Sequence, residues 1–389
     1  MNSKPCVVLL IFIVLSTIFP ASIGQERSVY HQLFQMELSE ISAMYENESV
    51  PGYESFVKAK ENGGKYPFYS YKLLVKCFAS IWMENATAML KSMGNESACN
   101  LLLADVQQNF SEISEEFNGT TPKSIASMEW LALAEKNVRE AKGFINKSAS
   151  HLEKEGYTLA LLSGIQAKSL LHKAEDFIEI AYTRNNASQV NETDIKNASE
   201  FIASRWIELA ETAVEYVESF GGAAKARNLL EEAKGYCKAE SYYLALMKAS
   251  HAKSLAEYLT AHPGFNTRDE ALKMCRTYLE YANLSLSRVY KEPTVDAPFA
   301  EMTIELAELH LKDAEKEESE GGAMAIASLS IKEALGAREQ AVAALDLKKA
   351  LGISFQEESK ADFPWGEVAL IVVVASVIFL AALYIKRKK

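Results

Sequence analysis

The chain has 389 residues, enough for a large buried core, and carries a formal net charge of −11 with 49% hydrophobic and 24% charged residues. This acidic balance disfavours nucleic acid and anionic lipid headgroups as partners, because like charges repel. Only nine Pro occur, and runs that alternate apolar and polar residues are absent, which predicts an all-α fold.

The chain opens with a pattern typical of a secretory signal. Lys4 precedes an apolar run from Cys6 to Phe19, and the small residues Ser22 and Gly24 follow. We expect a signal peptide over residues 1–24 with cleavage after Gly24, because the apolar run is shorter than the roughly 20 residues that a membrane span needs. An uncleaved N-terminal anchor is the alternative, since signals and short anchors overlap in composition.

The number of Asn-x-Ser/Thr sites predicts N-glycosylation of an exported domain. The chain has 17 Asn, ten of them in such sites, where chance predicts roughly two. The sites are Asn47, Asn85, Asn95, Asn109, Asn118, Asn146, Asn186, Asn191, Asn197 and Asn283. Nine precede residue 200, so glycans would leave residues 200–350 barer. The alternative role for single sites, such as Asn186 and Asn191, is a helix cap or a turn.

The cysteines outside the signal are even in number, which in an exported domain predicts disulfides. They are Cys77, Cys99, Cys237 and Cys275. Proximity favours Cys77 with Cys99 and Cys237 with Cys275. However, an unbroken helix from Pro67 to Gly94 would hold Cys77 about 25 Å from the helix end, out of register with Cys99. A break in that helix, non-local pairing and buried free thiols are the alternatives. Neither the Cys nor the six His have the spacing of metal ligands.

Residues 65–83 form the most aromatic stretch of the chain. It contains Tyr66, Phe68, Tyr69, Tyr71, Phe78 and Trp82. We interpret it as a loop leading into a core helix, because aromatic side chains dominate protein cores. A recognition loop is the alternative, since aromatic residues also dominate binding hot spots.

The middle of the chain contains an internal repeat. Tyr157–Leu170 (YTLALLSGIQAKSL) matches Tyr242–Leu255 (YYLALMKASHAKSL) at eight of 14 positions without a gap. A helix-type pattern containing Trp130 or Trp206 precedes each copy, and a weaker third copy begins at Thr303. We therefore predict Ala-rich helical hairpins over residues 122–350, preceded by an N-terminal helical region over residues 25–121.

These hairpins resemble tetratricopeptide-like repeats, in which small residues let paired helices stack closely. The resemblance covers roughly residues 125–345, but the spacing from Ala134 to Ala210 and Ala307 is irregular and the proline that closes the family's unit is missing. It implies an extended α-solenoid or bundle-like array of hairpins, and peptide binding without assigned residues. The composition and the Asn-x-Ser/Thr sites are also similar to those of helical regions in archaeal exported, membrane-anchored proteins of the cell envelope.

The last residues predict one transmembrane helix. Val368–Ile385 carries no charge, Trp365 lies just before it, and four basic residues end the chain. We predict a juxtamembrane linker over 351–363, a membrane helix over 364–385 and a cytoplasmic basic tail over 386–389, which leaves the N-terminal domain extracytoplasmic. A buried core helix is the alternative, although it would not normally end in four cations. Five of the 41 basic residues are Lys4 and the four tail residues. The exported part, residues 25–367, therefore holds 36 basic and all 52 acidic residues, and its net charge is −16.

No motif predicts chemistry. The serine-hydrolase, zinc-protease and phosphate-loop patterns are absent from the sequence. We therefore expect a protein that is not an enzyme, with no assigned catalytic, cofactor-binding or metal residue, although a triad assembled only in space would escape such patterns. The first hypothesis is a cell-surface structural or protein-interaction module with one membrane span and a protein partner. The alternatives are a peptide- or solute-binding receptor and an accessory subunit of an exported enzyme.

Overall fold

The computed structural model describes residues 28–45, 49–185, 190–260, 264–291 and 295–352. Within these ranges the chain is helical and contains no strand, which confirms the predicted all-α class. The α-helices are α1 Val29–Ser42, α2 Tyr53–Asn62, α3 Pro67–Met93, α4 Asn95–Gly119, α5 Ile125–Glu153, α6 Tyr157–Arg184, α7 Glu192–Glu218, α8 Ala224–Lys238, α9 Tyr242–Thr260, α10 Arg268–Tyr290, α11 Pro298–Lys316 and α12 Glu320–Ala350. The described residues up to Lys348 belong to one compact unit.

Three predicted elements lie outside the described residues. These are the signal at 1–24, the membrane helix at 364–385 and the basic tail at 386–389. Among the twelve helices above, none combines the length and the apolar character of a membrane span. The C-terminal anchor therefore stays a prediction from the sequence.

Proline and glycine set several helix ends where the sequence predicted them. Pro67 and Pro298 occupy the first turns of α3 and α11, where a missing N–H leaves no hydrogen bond unmade. Gly94 ends α3 with a φ of 87°, and its N–H donates to the carbonyl of Leu90 at 3.2 Å. Residues with a side chain rarely adopt this φ, so glycine is suited to the position. Between these two ends α3 runs unbroken from Pro67 to Met93.

The aromatic stretch at 65–83 lies in the core, which confirms the core interpretation. The Tyr30 ring of α1 meets the Phe68 ring of α3 at 4.8 Å and the Trp130 ring of α5 at 5.2 Å, both edge-on. All three side chains are buried. Edge-to-face pairs of this kind contribute about 0.5–1.5 kcal/mol beyond their burial. The N-terminal helices and the first repeat therefore share one aromatic core.

The sequence repeat corresponds to a repeated turn. Glu155 connects α5 to α6 and Glu240 connects α8 to α9, and both adopt left-handed backbone conformations with φ of 57° and 59°. The next residue in each turn, Gly156 or Ser241, donates its N–H to the carbonyl five residues earlier, at 2.8 and 2.9 Å. This closure is that of a Schellman-type helix end. The chain therefore reverses in the same way before each copy of the repeated helix.

The second repeat unit differs from the predicted helix pair, because it contains three helices. Trp206 lies on α7, whereas the turn at Glu240 joins α8 to α9. Gly221 and Gly222, with φ of 87° and 105°, break the chain between α7 and α8. α9 packs against both of these helices. The glycine pair thus separates α7 from the short helix α8. The first unit, formed by α5 and α6, has no counterpart of α8.

Acidic side chains of α11 hold the N-terminal helices. The Glu305 carboxylate accepts the backbone N–H groups of Phe68 and Tyr69, both at 3.0 Å, where α3 begins. Glu301 accepts a hydrogen bond from the hydroxyl of Ser28, the residue before α1. The first N–H groups of a helix have no partner within the helix, so Glu305 acts as a cap supplied from another element. Glu301 instead anchors the residue that precedes α1 through its side chain.

The start of α11 is held in a comparable way by α5. Glu129 accepts the N–H groups of Asp296 at 2.7 Å and Ala297 at 3.1 Å. It also accepts the Tyr243 hydroxyl of α9 at 2.8 Å. The neighbouring Trp130 donates its indole N–H to the Asp296 carboxylate at 2.8 Å. One buried carboxylate thus connects α5, α9 and α11.

Candidate functional site

α7 and the turn that follows it present large apolar side chains to solvent. Phe201, Leu209 and Tyr216 of α7 and Phe220 of the turn are 63%, 42%, 55% and 75% exposed, and we call these four residues the α7 stripe. The spacings of eight and seven residues keep the first three within an arc of about 80° on the helix surface. The Tyr216 and Phe220 rings also contact each other edge-on at 5.1 Å. The opposite face of α7 is buried through Trp206 and its neighbours, so this helix carries apolar residues on both sides.

Most of the charges beside the α7 stripe are acidic. Glu208 and Glu215 are exposed on the same side of α7, together with one basic residue, Arg205, between Phe201 and Leu209. Glu211 and Glu218 lie on the same helix but are ion-paired with Lys234 and Arg227 of α8. An apolar line beside carboxylates is complementary to a surface that is apolar and basic.

The predicted glycosylation sites are accessible where the structure describes them. Asn47 and Asn186 lie outside the described residues, and Asn109 is half-buried. The exposed sites are Asn85, Asn95, Asn118, Asn146, Asn191, Asn197 and Asn283. Asn191 also caps α7, because its side-chain oxygen accepts the Thr193 N–H at 3.0 Å. Asn191 is therefore a helix cap, as the alternative interpretation of this site predicted. The cap uses the side-chain oxygen of Asn191 and leaves the amide nitrogen, where a glycan would be attached, unused.

All four described cysteines are free thiols in the structure, so neither pairing favoured by the sequence is formed. The unbroken α3 explains the absence of the first pairing, because it carries Cys77 far from the turn that precedes Cys99. Cys77 instead contacts the Leu73 carbonyl at 3.1 Å within α3. Cys275 of α10 donates to the Ser330 hydroxyl of α12 at 2.8 Å, away from Cys237. Buried thiols were the alternative that the sequence left open.

A polar cluster lies at the contact between α1, α3 and α6. The Glu37 carboxylate of α1 is 3.1 Å from Nε2 of His172 on α6. One turn further along α6, Asp176 accepts a hydrogen bond from the Tyr71 hydroxyl at 2.5 Å. One potential ligand atom from each of Glu37, His172 and Asp176 lies within 4.8 Å of the other two. We call these three residues the Glu37–His172–Asp176 cluster.

Burial and mutual charge shape the electrostatics of the cluster. Glu37 and Asp176 are buried, at 3% and 8% exposure. Burial lowers the pKa of His172, but the hydrogen bond to Glu37 and the nearby Asp176 charge outweigh this and raise that pKa to about 9. Burial, followed by the Glu37 charge, raises the pKa of Asp176 to about 7. Two carboxylates and an imidazole are also ligands that divalent transition metals accept.

A cavity of about 350 Å³ adjoins the cluster on the His172 side. Its wall contains Trp82, Glu116, Lys168 and Glu175 together with His172. Lys168 forms an ion pair with Asp105 at 2.7 Å and lies over the Trp82 ring at 5.4 Å. The cavity is therefore polar and large enough for water or a small polar molecule.

The sequence alone assigned no metal ligand. The structure brings together Glu37, His172 and Asp176, which no sequence pattern had marked as a possible site. The four-residue spacing of His172 and Asp176 on one helix was the available signal. Glu37 lies 135 residues from His172, and no sequence pattern joins them. Comparison of the chain with protein families, characterised proteins and solved structures finds no match. The surface of α7 and the Glu37–His172–Asp176 cluster are therefore the grounds for a functional conclusion.

Proposed function

We propose that this protein is a glycosylated helical ectodomain, tethered by the C-terminal span at 364–385, that binds another cell-surface protein through the α7 stripe. In this arrangement the basic tail at 386–389 is cytoplasmic and the hairpin array over 122–350 stands outside the membrane. The protein acts by contact, without catalysis of its own. The observation that carries the proposal is the exposure of four large apolar side chains along α7 and the turn that follows it.

The exposed apolar side chains support binding because large parts of them face solvent. Soluble surfaces tolerate single apolar residues, but grouped ones, such as Tyr216 and Phe220 whose rings contact each other, mark interaction sites. Phe220 and Tyr216 are aromatic, the residue class that dominates interface energy. Burying such side chains against a partner removes apolar area from water, which favours association, while the quality of the contact decides the affinity.

The distribution of glycosylation sites also favours this surface. No Asn-x-Ser/Thr site falls between residues 198 and 282. Asn197 lies one turn before Phe201, so a glycan there would border one end of the stripe only. Leu209, Tyr216 and Phe220 stay clear of glycans in sequence. A partner can therefore approach the C-terminal part of α7.

The occupant that fits is a separate protein with an apolar, basic surface. Glu208 and Glu215 border the stripe, and the exported part as a whole is net −16, with 36 basic and 52 acidic residues. A second copy of this chain would bring the same acidic rims together, which is unfavourable. Charge complementarity therefore selects a basic partner over self-association.

Photocrosslinking in the native membrane tests the proposal. A photoreactive amino acid replaces Leu209 or Tyr216 in the full-length chain, and the matched control replaces Lys273, which is exposed on α10. We expect one dominant adduct from α7, lost in the Phe220→Ser variant and weakened by added salt, and no such adduct from position 273. Adducts that contain only this chain, or equal yields at all three positions, would overturn the proposal.

The peptide-receptor alternative rests on a second feature. A groove of about 240 Å³ runs between the two repeat units, lined by Met128, Leu131, Ile195, Tyr242 and Leu244 among others. This volume is below the roughly 300–1,000 Å³ of ligand pockets, so it suits one or two side chains of a bound peptide. A Leu131→Trp variant would fill the groove. Loss of the crosslinked partner in this variant, with adduct formation unchanged in Phe220→Ser, would favour the groove over the stripe.

A further inference from the structure

We propose that Glu37, His172 and Asp176 bind a divalent first-row transition-metal ion. The ligand atoms of all three lie within 4.8 Å of one another. Two donors that are each about 2.0–2.2 Å from one ion lie at most about 4.4 Å apart, so the side chains need to draw together by no more than a few tenths of an ångström to bind it. His172 and Asp176 are four residues apart on α6 and Glu37 reaches them from α1. The donors thus come from α1 and α6, which both pack against α3, and this fixes their relative positions.

The charges of the cluster match a divalent ion. Glu37 and Asp176 are two buried carboxylates in close proximity, and such a pair repels unless positive charge lies close to both. Without an ion, the His172 imidazole, 3.1 Å from Glu37, supplies that charge. An ion of charge 2+ neutralises both while His172 binds it as a neutral imidazole. One nitrogen and two oxygen donors without sulfur favour ions such as Mn²⁺, Fe²⁺ or Zn²⁺ over soft ions, and the imidazole disfavours Mg²⁺ and Ca²⁺.

The residues around the cluster hold the three side chains in place. The Tyr71 hydroxyl donates to Asp176 at 2.5 Å. The Phe78 and Trp82 rings pack against the His172 imidazole at 4.9 and 5.9 Å between centroids, both edge-on. Hydrogen bonds and packing of this kind orient metal ligands and tune their affinity. Tyr71 is therefore a positioning residue for the site.

The cavity beside His172 provides space for further ligands next to one of the three donors. It has a volume of about 350 Å³, and Glu116 and Glu175 line it with His172. Three protein donors leave at least one position of a four- to six-coordinate ion open. Water, or a small molecule with an oxygen donor, can complete the coordination from the cavity.

Metal binding to the purified full-length protein tests the inference. The protein is stripped with chelator and dialysed against Zn²⁺, Mn²⁺ or Mg²⁺ alone, and bound metal is counted per chain. We expect one Zn²⁺ or Mn²⁺ and no stoichiometric Mg²⁺, together with a melting temperature that rises with ion concentration. Co²⁺ as a spectroscopic substitute should give visible absorption bands of a bound, nitrogen-containing site. A chain that binds none of these ions would show that the cluster is an internal ion pair only.

Variants separate this site from adventitious binding. His172→Gln and Asp176→Asn should abolish stoichiometric binding, and Tyr71→Phe should weaken it about tenfold or more. The matched control is His310→Gln, which removes a His–Glu pair of similar geometry, 2.6 Å from Glu333, that lacks the second carboxylate. Metal content unchanged in His172→Gln would overturn the assignment. If the variants fail to fold, as judged by helical circular dichroism, the wild-type Co²⁺ spectrum decides alone.

Discussion

Glu305 of α11 and Phe68 at the start of α3 lie 237 residues apart, yet the Glu305 carboxylate accepts the Phe68 backbone N–H at 3.0 Å. The same carboxylate accepts the N–H of Tyr69. One turn earlier on α11, Glu301 holds the residue that precedes α1. A single face of α11 thus caps α3 and anchors the start of α1, both from the other end of the chain.

Removing the Glu305 cap should destabilise the fold. We expect Glu305→Ala to lower the free energy of unfolding by about 2 kcal/mol, because two N–H groups at the start of α3 lose their acceptor in a buried setting. Glu315→Ala is the control, since Glu315 is exposed on the same helix and should change stability by less than about 0.5 kcal/mol. Urea unfolding measures both, and equal effects at the two positions would contradict the capping role.

The buried carboxylates predict a pH dependence of stability. Burial raises the pKa of Glu129 and Glu305 to about 8 and that of Glu301 to about 7, from an ordinary value of 4.5. Since the pKa is higher in the folded state, the folded chain binds more protons than the unfolded one. The stability that these groups contribute is therefore fully present below the ordinary pKa and is lost as the pH rises through about 7 and 8.

Thermal unfolding at about pH 5 and about pH 9 tests this dependence. We expect the lower melting temperature at the higher pH, and a smaller difference in Glu129→Gln, which keeps hydrogen-bonding atoms but cannot ionise. Glu208→Gln, at an exposed position of α7, is the control and should leave the difference unchanged. A melting temperature that rises from pH 5 to pH 9 would contradict the sign.

The sequence predicts those parts of the fold that depend on single residues or on short patterns. Helix ends at Pro67, Gly94 and Pro298 depend on the residue itself, so they can be read directly, and the repeat predicts that α6 and α9 are equivalent. The cap from Glu305 to Phe68 and the contact of Glu37 with His172 join residues more than 100 positions apart. Such contacts depend on how helices pack, which periodicity does not specify. The same reason hides the candidate metal ligands from sequence patterns.

The repeated turn predicts a stabilising substitution. Glu155 has a φ of 57°, a conformation that is unfavourable by about 1 kcal/mol or more for residues with a Cβ. Glu155→Gly should relieve this strain and raise the free energy of unfolding by about 0.5 kcal/mol, after the larger entropy of an unfolded glycine is subtracted. Lys142→Gly, at an exposed position within α5, is the control and should destabilise by about 1 kcal/mol. Urea unfolding that shows a loss at both positions would contradict the left-handed turn.

Cysteine alkylation distinguishes the free thiols of the structure from the disulfides that the cysteine count predicts. In denaturant without reductant, we expect Cys77, Cys99, Cys237 and Cys275 all to react, whereas two disulfides would leave none reactive. In the folded protein Cys237 should react first, because it is half-buried while the other three are buried. Burial also raises the pKa of the Cys77 thiol to about 11, which leaves little of the reactive thiolate near neutral pH. Mass spectrometry counts the modified residues in both states. Four unreactive cysteines in denaturant would show that the chain is crosslinked by disulfides, and they would require Cys77 to leave its place in α3.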